Sequence, residues 1–262
     1  MAEIAFRGGS ISFEEQGKGS AVVLLHGFLE SKDIWKEYSD KLKNHYRVIS
    51  IDLPGHGHTS NFGYSHSMEM MADCVQAVLK SLKIKKFHVI GHSLGGYVAM
   101  ALGDKFPDKI KGICLFHSTV SDDSPQKVKE REKLIRLVER NKDLFINEAV
   151  PNLFNTKDKP YKTAISSIKK IARKTSVQGI VAALEGMKIR ENRELILKFA
   201  PYPILYLIGK YDNIIPYQKL ISESAISENA QFVLLEQTGH MGFIEEPEKC
   251  LNAIRVFLRR RG

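Results

Sequence analysis

Short aliphatic runs alternate with longer stretches of helical spacing along most of this chain. Val22–Leu25, Val48–Ile51, Phe87–Ile90, Ile113–Phe116, Ile204–Ile208 and Phe232–Leu235 are apolar at almost every position. A continuous run predicts a strand covered on both faces, as in a parallel sheet. Ile4-Ala5-Phe6 and Ile11-Ser12-Phe13 flank Gly8-Gly9 and predict a hairpin turning on the glycine pair, with a polar loop from Phe13 to Gly19 after it. Ser31-Lys32-Asp33 opens a helix carrying Ile34, Trp35, Tyr38 and Leu42. Met71, Val75, Val78, Leu79 and Leu82 predict a helix between Ser67 and Leu82. Gly95, Gly96 and Ala99 predict a helix packed closely on the sheet and ended before Pro107. Further helices are expected over 216–226 and 247–261, the last with Arg259-Arg260-Arg261 complementing its dipole. Strand alternating with helix predicts an α/β fold with a largely parallel sheet.

The rhythm stops near Ser121 and is helical only until Ala200. Leu134, Leu137 and Val138 form one stripe. Ile165, Ile168 and Ile171 form another, and Val177, Ile180, Val181 and Leu184 a third, after the capping candidates Thr175 and Ser176. Pro151 and Pro160 separate segments. The expected organisation is a core domain of residues 1–120 and 201–262, with 121–200 as a helical cap seated on it as a lid.

Composition narrows the class. Of 262 residues, 43% are hydrophobic, which suits a soluble core. The longest aliphatic runs, Ala21–Leu25 and Ile204–Ile208, fall far short of the ~20 residues that span a bilayer. Met1-Ala2-Glu3-Ile4 does not resemble a secretory leader. Cys74, Cys114 and Cys250 are dispersed and odd in number, which argues for reduced thiols in a cytoplasm and against a disulfide framework or zinc site. No membrane or nucleic-acid partner, metal or cofactor is expected, and oligomeric state is left open. Net charge is +9, and residues 121–200 hold 18 Lys+Arg against 11 Asp+Glu, or +7 of it. A solvated, lysine-rich set of helices accounts for this excess; an anionic substrate is the alternative.

The chemistry gathers at strand ends. Gly91-His92-Ser93-Leu94-Gly95 sits between an apolar run and a helical pattern. A serine at such a junction needs an abrupt turn that side chains at the flanking positions would oppose. The turn lifts the hydroxyl above the sheet edge and leaves the N–H of Leu94 in a helix first turn, free to face an anion. Serine is a poor nucleophile without a base, and the base needs a group that fixes its tautomer. Asp212 and His240 each follow a later strand, in the order Ser, Asp, His. The C-terminal ends of parallel strands share one edge, so three distant residues are expected to converge there. His117, also at a strand end, is the rival base, or else lines the pocket. Asp122 or Asp123 is the rival acid. His92 is expected to point away from the site. His56 and His58 are expected to organise a turn, and Asp52 to brace it. His26-Gly27-Phe28, after an early strand, can offer the Phe28 N–H as the second oxyanion donor beside Leu94. His26 and Trp35 are candidate substrate contacts.

His26-Gly27-Phe28, Asp52-Leu53-Pro54-Gly55-His56-Gly57, Gly91 to Gly96, Gly209 to Asp212 and Gly239-His240 together resemble the α/β-hydrolase superfamily over nearly the whole chain. The resemblance implies an eight-stranded, mostly parallel sheet with a helical cap after the sixth strand, and Phe28 and Leu94 as oxyanion donors. A serine nucleophile sets the chain apart from epoxide hydrolases and haloalkane dehalogenases of similar layout. Expected, then, is a carboxylesterase-like serine hydrolase of small esters. The alternatives are a C–C bond hydrolase, a lyase like the menaquinone-pathway synthase, or a slow-turnover ligand sensor.

Overall fold

The computed structural model describes residues 1–157 and 161–260. Pro160, expected to separate two segments, and Arg261, expected to complement the dipole of the last helix, lie outside them. The strands are β1 (Ala2–Phe6), β2 (Gly9–Gln16), β3 (Ser20–Leu25), β4 (Tyr46–Ile51), β5 (Phe87–His92), β6 (Ile110–Phe116), β7 (Ile204–Gly209) and β8 (Ala230–Leu235). They form one sheet in the order β1-β2-β4-β3-β5-β6-β7-β8. From β4 onward in that order every pair is parallel, while β1 and β2 join antiparallel at one edge. The continuous runs are the central strands, and Val22, Val23, Val89, Ile90, Ile113 and Leu207 are wholly buried.

The edge differs from expectation in two ways. The hairpin turns on Arg7 and Gly8, both at positive φ (45° and 82°), and Gly9 already belongs to β2. Glu14-Glu15-Gln16 remains in β2 instead of leaving it as a loop, paired with Ser50, Ile49 and Val48. A strand near the antiparallel edge keeps one face wet and so accepts charge; there Arg47 Nε donates to Glu15 Oε1 at 2.5 Å.

A 3₁₀ turn (Lys32–Trp35) leads into α1 (Lys36–Leu42). The helix α2 (Met68–Ser81) begins where Ser67 Oγ accepts from Met70 N–H at 3.2 Å. The next, α3 (Leu94–Lys105), is buried from Leu94 through Gly103, and its glycines let it lie against the sheet. A Cβ on Gly95 would collide with the Leu25 carbonyl, and one on Gly96 with Ser118.

Between β6 and β7 the chain holds α4 (Pro125–Ala149), α5 (Lys162–Lys174), α6 (Val177–Lys188) and α7 (Glu194–Phe199). The first of these breaks at Asn141, whose Oδ1 accepts from Leu144 N–H at 2.9 Å and caps the second half. Helix α6, capped by Ser176, lies on the loop after β4: Gly179 meets Gly55, Gly186 meets the His66 carbonyl, and His66 N–H donates to Ala182 O at 2.9 Å. The chain closes with α8 (Tyr217–Ser224), α9 (Gly242–Glu245) and α10 (Pro247–Leu258). Among the described residues no helix is long and apolar enough to cross a membrane.

Candidate active site

The strand order reverses at β3, with β4 on one side and β5 on the other. Ligands of open α/β sheets sit outside the carboxyl ends of strands at such a point. Leu25 pairs with Gly91, so the loops after β3 and β5 leave the sheet side by side. One carries Phe28 and the other Ser93.

Ser93 occupies the junction of β5 and α3 at φ 48°, ψ −111°, a conformation that side chains rarely adopt. Its backbone is fixed on both sides. Its N–H donates to Phe116 O at 2.9 Å, and its carbonyl accepts from Gly96 N–H at 2.9 Å and Ser118 Oγ at 2.8 Å. Gly91 has no room for a Cβ, which would collide with the Gly95 carbonyl. The strained serine is therefore held by the packing around it. The N–H groups of Phe28 and Leu94 donate to no protein acceptor among the described residues.

His240 Nδ1 lies 2.7 Å from Asp212 Oδ2. The other Asp212 oxygen accepts from the N–H of Ile214 (2.7 Å) and Ile215 (3.0 Å). Burial alone would raise the Asp212 pKa, but the His240 imidazole and these N–H groups hold it below the usual carboxylate range. An ionised Asp212 can only accept, so the hydrogen lies on His240 Nδ1 and Nε2 is left as the acceptor. His240 is pinned through its backbone as well: its N–H donates to Leu153 O at 2.7 Å, and its carbonyl lies 2.9 Å from His92 Nε2. Glu245 Oε2 accepts from the flanking Gly239 and Met241 N–H groups, at 3.0 Å each.

Ser93 and His240 face one cavity of about 310 Å³. Among the described residues Ser93 Oγ has no hydrogen-bond partner, and unliganded sites often close this bond only around substrate. Phe28, Leu134, Phe145, Leu153, Leu184 and Met187 make the walls largely apolar. Lys127, Glu130, Arg131, Asn152 and Asn213 supply polar groups. Arg131 and Arg190 share Asp123, with Arg190 Nη1 donating to it at 2.6 Å.

Three expected substrate contacts do not line this cavity. Both ring nitrogens of His26 are used within its own loops, by Gly27 O at 2.7 Å and by Leu53 N–H at 2.9 Å. Trp35 is fully buried in ordinary packing with Tyr38, Phe116 and Phe243. His117 is sealed behind the base: its Nε2 accepts from Gly242 N–H at 3.1 Å, and its Nδ1 stands 3.8 Å from Asp212 Oδ2. Burial pushes its pKa well below that of a free imidazole. His92, expected to point away, lies instead between Glu30 and the His240 carbonyl. The rival acid Asp123 is bound by two arginines. Asp52 braces its loop, taking Lys32 Nζ at 2.6 Å and His58 N–H at 3.0 Å.

Sequence reasoning passed over Glu30, Leu153 and Glu245. Leu153 acts through the backbone carbonyl of a distant loop, and Glu245 through a carboxylate that grips the backbone on either side of His240; no local pattern encodes either. Glu30 left a trace: a carboxylate two residues after Phe28, directly following the apolar pair Phe28-Leu29.

A family model described as alpha/beta hydrolase fold matches residues 20–247. The chain is 26% identical over 258 residues to the pimeloyl-[acyl-carrier protein] methyl ester esterase of Aliivibrio fischeri (strain MJ11), covering 96% of this chain and 98% of that one. It is 26% identical over 261 residues to the 2-hydroxy-6-oxo-6-(2'-aminophenyl)hexa-2,4-dienoic acid hydrolase of Metapseudomonas resinovorans, covering 94% and 87%. The structure of a thermophilic esterase from Thermogutta terrifontis, with malate bound, matches at TM-score 0.93 and 29% identity, over 99% of this chain and 98% of that one.

Proposed function

Because the chain belongs to the alpha/beta hydrolase fold family, with esterases among its relatives, we propose that it is a serine hydrolase of small carboxylic esters. The observation that carries this reading is the His240–Asp212 hydrogen bond at 2.7 Å, with His240 and Ser93 on one cavity wall. His240 Nε2 takes the Ser93 proton as Oγ attacks the acyl carbonyl. Asp212 accepts the Nδ1–H bond and stabilises the imidazolium. The N–H groups of Phe28 and Leu94 hold the oxyanion of the tetrahedral intermediate. Nε2–H then protonates the departing alkoxide. Water, giving its proton to His240, attacks the acyl-enzyme, and the acid leaves as Ser93 regains its proton.

A cavity of about 310 Å³ lies at the small end of ligand sites and favours a short or medium acyl chain. The segment from Ser121 to Ala200 serves as the cap: it contributes Leu134, Phe145 and Leu184 to the walls and Leu153 O to the base. A second reading, C–C bond hydrolysis of an anionic substrate, draws on Lys127 and Arg131 at the cavity and on the dienoic acid hydrolase among the relatives.

Ser93→Ala should lower turnover of p-nitrophenyl esters by at least about 10³-fold with the fold unchanged by circular dichroism. Wild-type turnover in that variant refutes the assignment. A panel of esters varying in chain length and terminal charge separates the two readings: the ester reading expects neutral short acyl esters to be turned over best.

A further inference from the structure

Beside His240, at the floor of the same cavity, lies a buried acid and imidazole that the steps above do not use. Glu30 and His92 are each 1% exposed. Glu30 Oε2 accepts from Gly27 N–H at 2.6 Å and stands 2.9 Å from His92 Nδ1. His92 Nε2 stands 2.9 Å from the His240 carbonyl. A carbonyl oxygen only accepts, so Nε2 carries a hydrogen. The contact between Nδ1 and Oε2 holds one more proton. It belongs to the more basic partner, and an imidazole (pKa about 6.5) is more basic than a carboxyl (about 4.3). His92 is then protonated on both nitrogens, facing an ionised Glu30.

We propose that Glu30 and His92 form a permanently charged brace that positions the catalytic base and the oxyanion loop relative to each other. The proposal takes Ser93, His240 and Asp212 as the catalytic set, and Glu30 and His92 as positioning residues that act through it. At one end the brace fixes Gly27, next to the Phe28 N–H. At the other it fixes the carbonyl of His240, whose N–H is already held by Leu153. A neutral imidazole has a single N–H and would keep both ends only if Glu30 held the second proton.

Gly27 bears independent witness to the brace. A Cβ there would fall 2.6 Å from His92 Nδ1 and 2.7 Å from Glu30 Oε2, so the pair occupies the space that a side chain would need. The groups facing His92 are compatible with its charge. Glu30 comes from the loop after β3, and Asp212 from the loop after β7. The ring of His117, after β6, is 6.0 Å away, and that of His240, after β8, is 5.2 Å away. His117 is neutral, since its Nε2 accepts from Gly242 N–H. Burial alone would lower the His92 pKa, but the Glu30 carboxylate, together with the His240 carbonyl and Asp212, raises it above that of a free imidazole. The same attraction holds Glu30 below the usual carboxyl range despite its own burial.

The test reads the protonation of His92 directly. Wild-type protein with ¹⁵N-labelled histidines is studied by NMR at pH 8, the His92 signals being assigned by their loss in His92→Gln. Two protonated ring nitrogens are expected. A single protonated nitrogen overturns the proposal, whether the second proton sits on Glu30 or is absent. Glu30→Gln keeps an acceptor for Gly27 N–H but removes the charge. In it His92 should show one protonated nitrogen, and kcat for p-nitrophenyl butyrate should fall about 10- to 100-fold with KM changed less than about threefold, the cost of a displaced catalytic group. Wild-type kcat with a neutral His92, or lowered kcat with His92 still doubly protonated, each overturn the brace. If Glu30→Gln does not fold, the wild-type spectrum decides. That spectrum does not depend on ester hydrolysis, so an active Ser93→Ala would refute the esterase reading and leave the charge of His92 to stand or fall separately.

Discussion

Seven of the nine histidines are fully or nearly buried, and most of them do structural work that depends on their being neutral. His88 is the plainest case. It lies inside β5 against the Phe257 ring, and neither ring nitrogen has a partner among the described residues. Burial pushes its pKa down to about 4; His66 is likewise near 4 and His56 near 3, mainly through burial. A folded-state pKa below the unfolded value of about 6.5 gives stability that is fully present above pH 6.5. That stability is lost as pH falls toward the folded pKa, at up to about 1.4 kcal/mol per pH unit for each histidine. His88→Leu removes one such debt. Between pH 7.5 and pH 5 the variant should lose about 2 kcal/mol less stability than wild type in urea denaturation. Parallel losses in the two proteins would show that His88 is not held neutral. The placement of Ser93, Asp212 and His240 was legible because each follows a strand of the parallel sheet. The roles of His26, His92 and His117 were not, because an imidazole reads the same in sequence whether it meets substrate, a carbonyl or a carboxylate.

Among the elements, α4 shows how a helix can be read and still be misjudged. Leu134, Leu137 and Val138 marked its first half, but the break at Asn141 was invisible, since Asn-Lys-Asp carries neither proline nor glycine. Asn141 starts a second helical segment by accepting from Leu144 N–H, and that segment brings Phe145 and Ala149 to the cavity wall. Asn141→Ala should cost about 1 kcal/mol of stability, the usual value of a lost cap. It should also raise KM for butyrate esters more than for acetate esters, since the longer chain reaches this wall. An unchanged ratio of the two KM values would separate the break from the cavity. The hairpin makes the complementary point. Its existence was legible from two apolar runs and a glycine pair. The turn fell one residue earlier because Arg7 accepts positive φ there and Gly9 is needed in β2, where a Cβ would collide with Ser60.

At the scale of the whole molecule, the sheet aligns loops that are far apart in sequence. The ends of β3, β5, β7 and β8 carry Phe28, Ser93, Asp212 and His240, and parallel pairing puts those ends on one edge. That convergence was legible because parallel strands leave no other arrangement. The strand order was not, nor was the reach of the 121–200 segment to the base through Leu153 O, because both rest on contacts between distant parts of the chain. The central claim is that Ser93 is made nucleophilic by His240 and Asp212. It is tested most directly by treating the protein with a p-nitrophenyl phosphonate ester and locating the adduct by peptide mass spectrometry. One adduct per chain, on Ser93, is expected, with labelling at least about 10²-fold slower in His240→Ala. Hydrolysis of esters by a protein that takes up no label at Ser93, or labelling at an unchanged rate in His240→Ala, would contradict it.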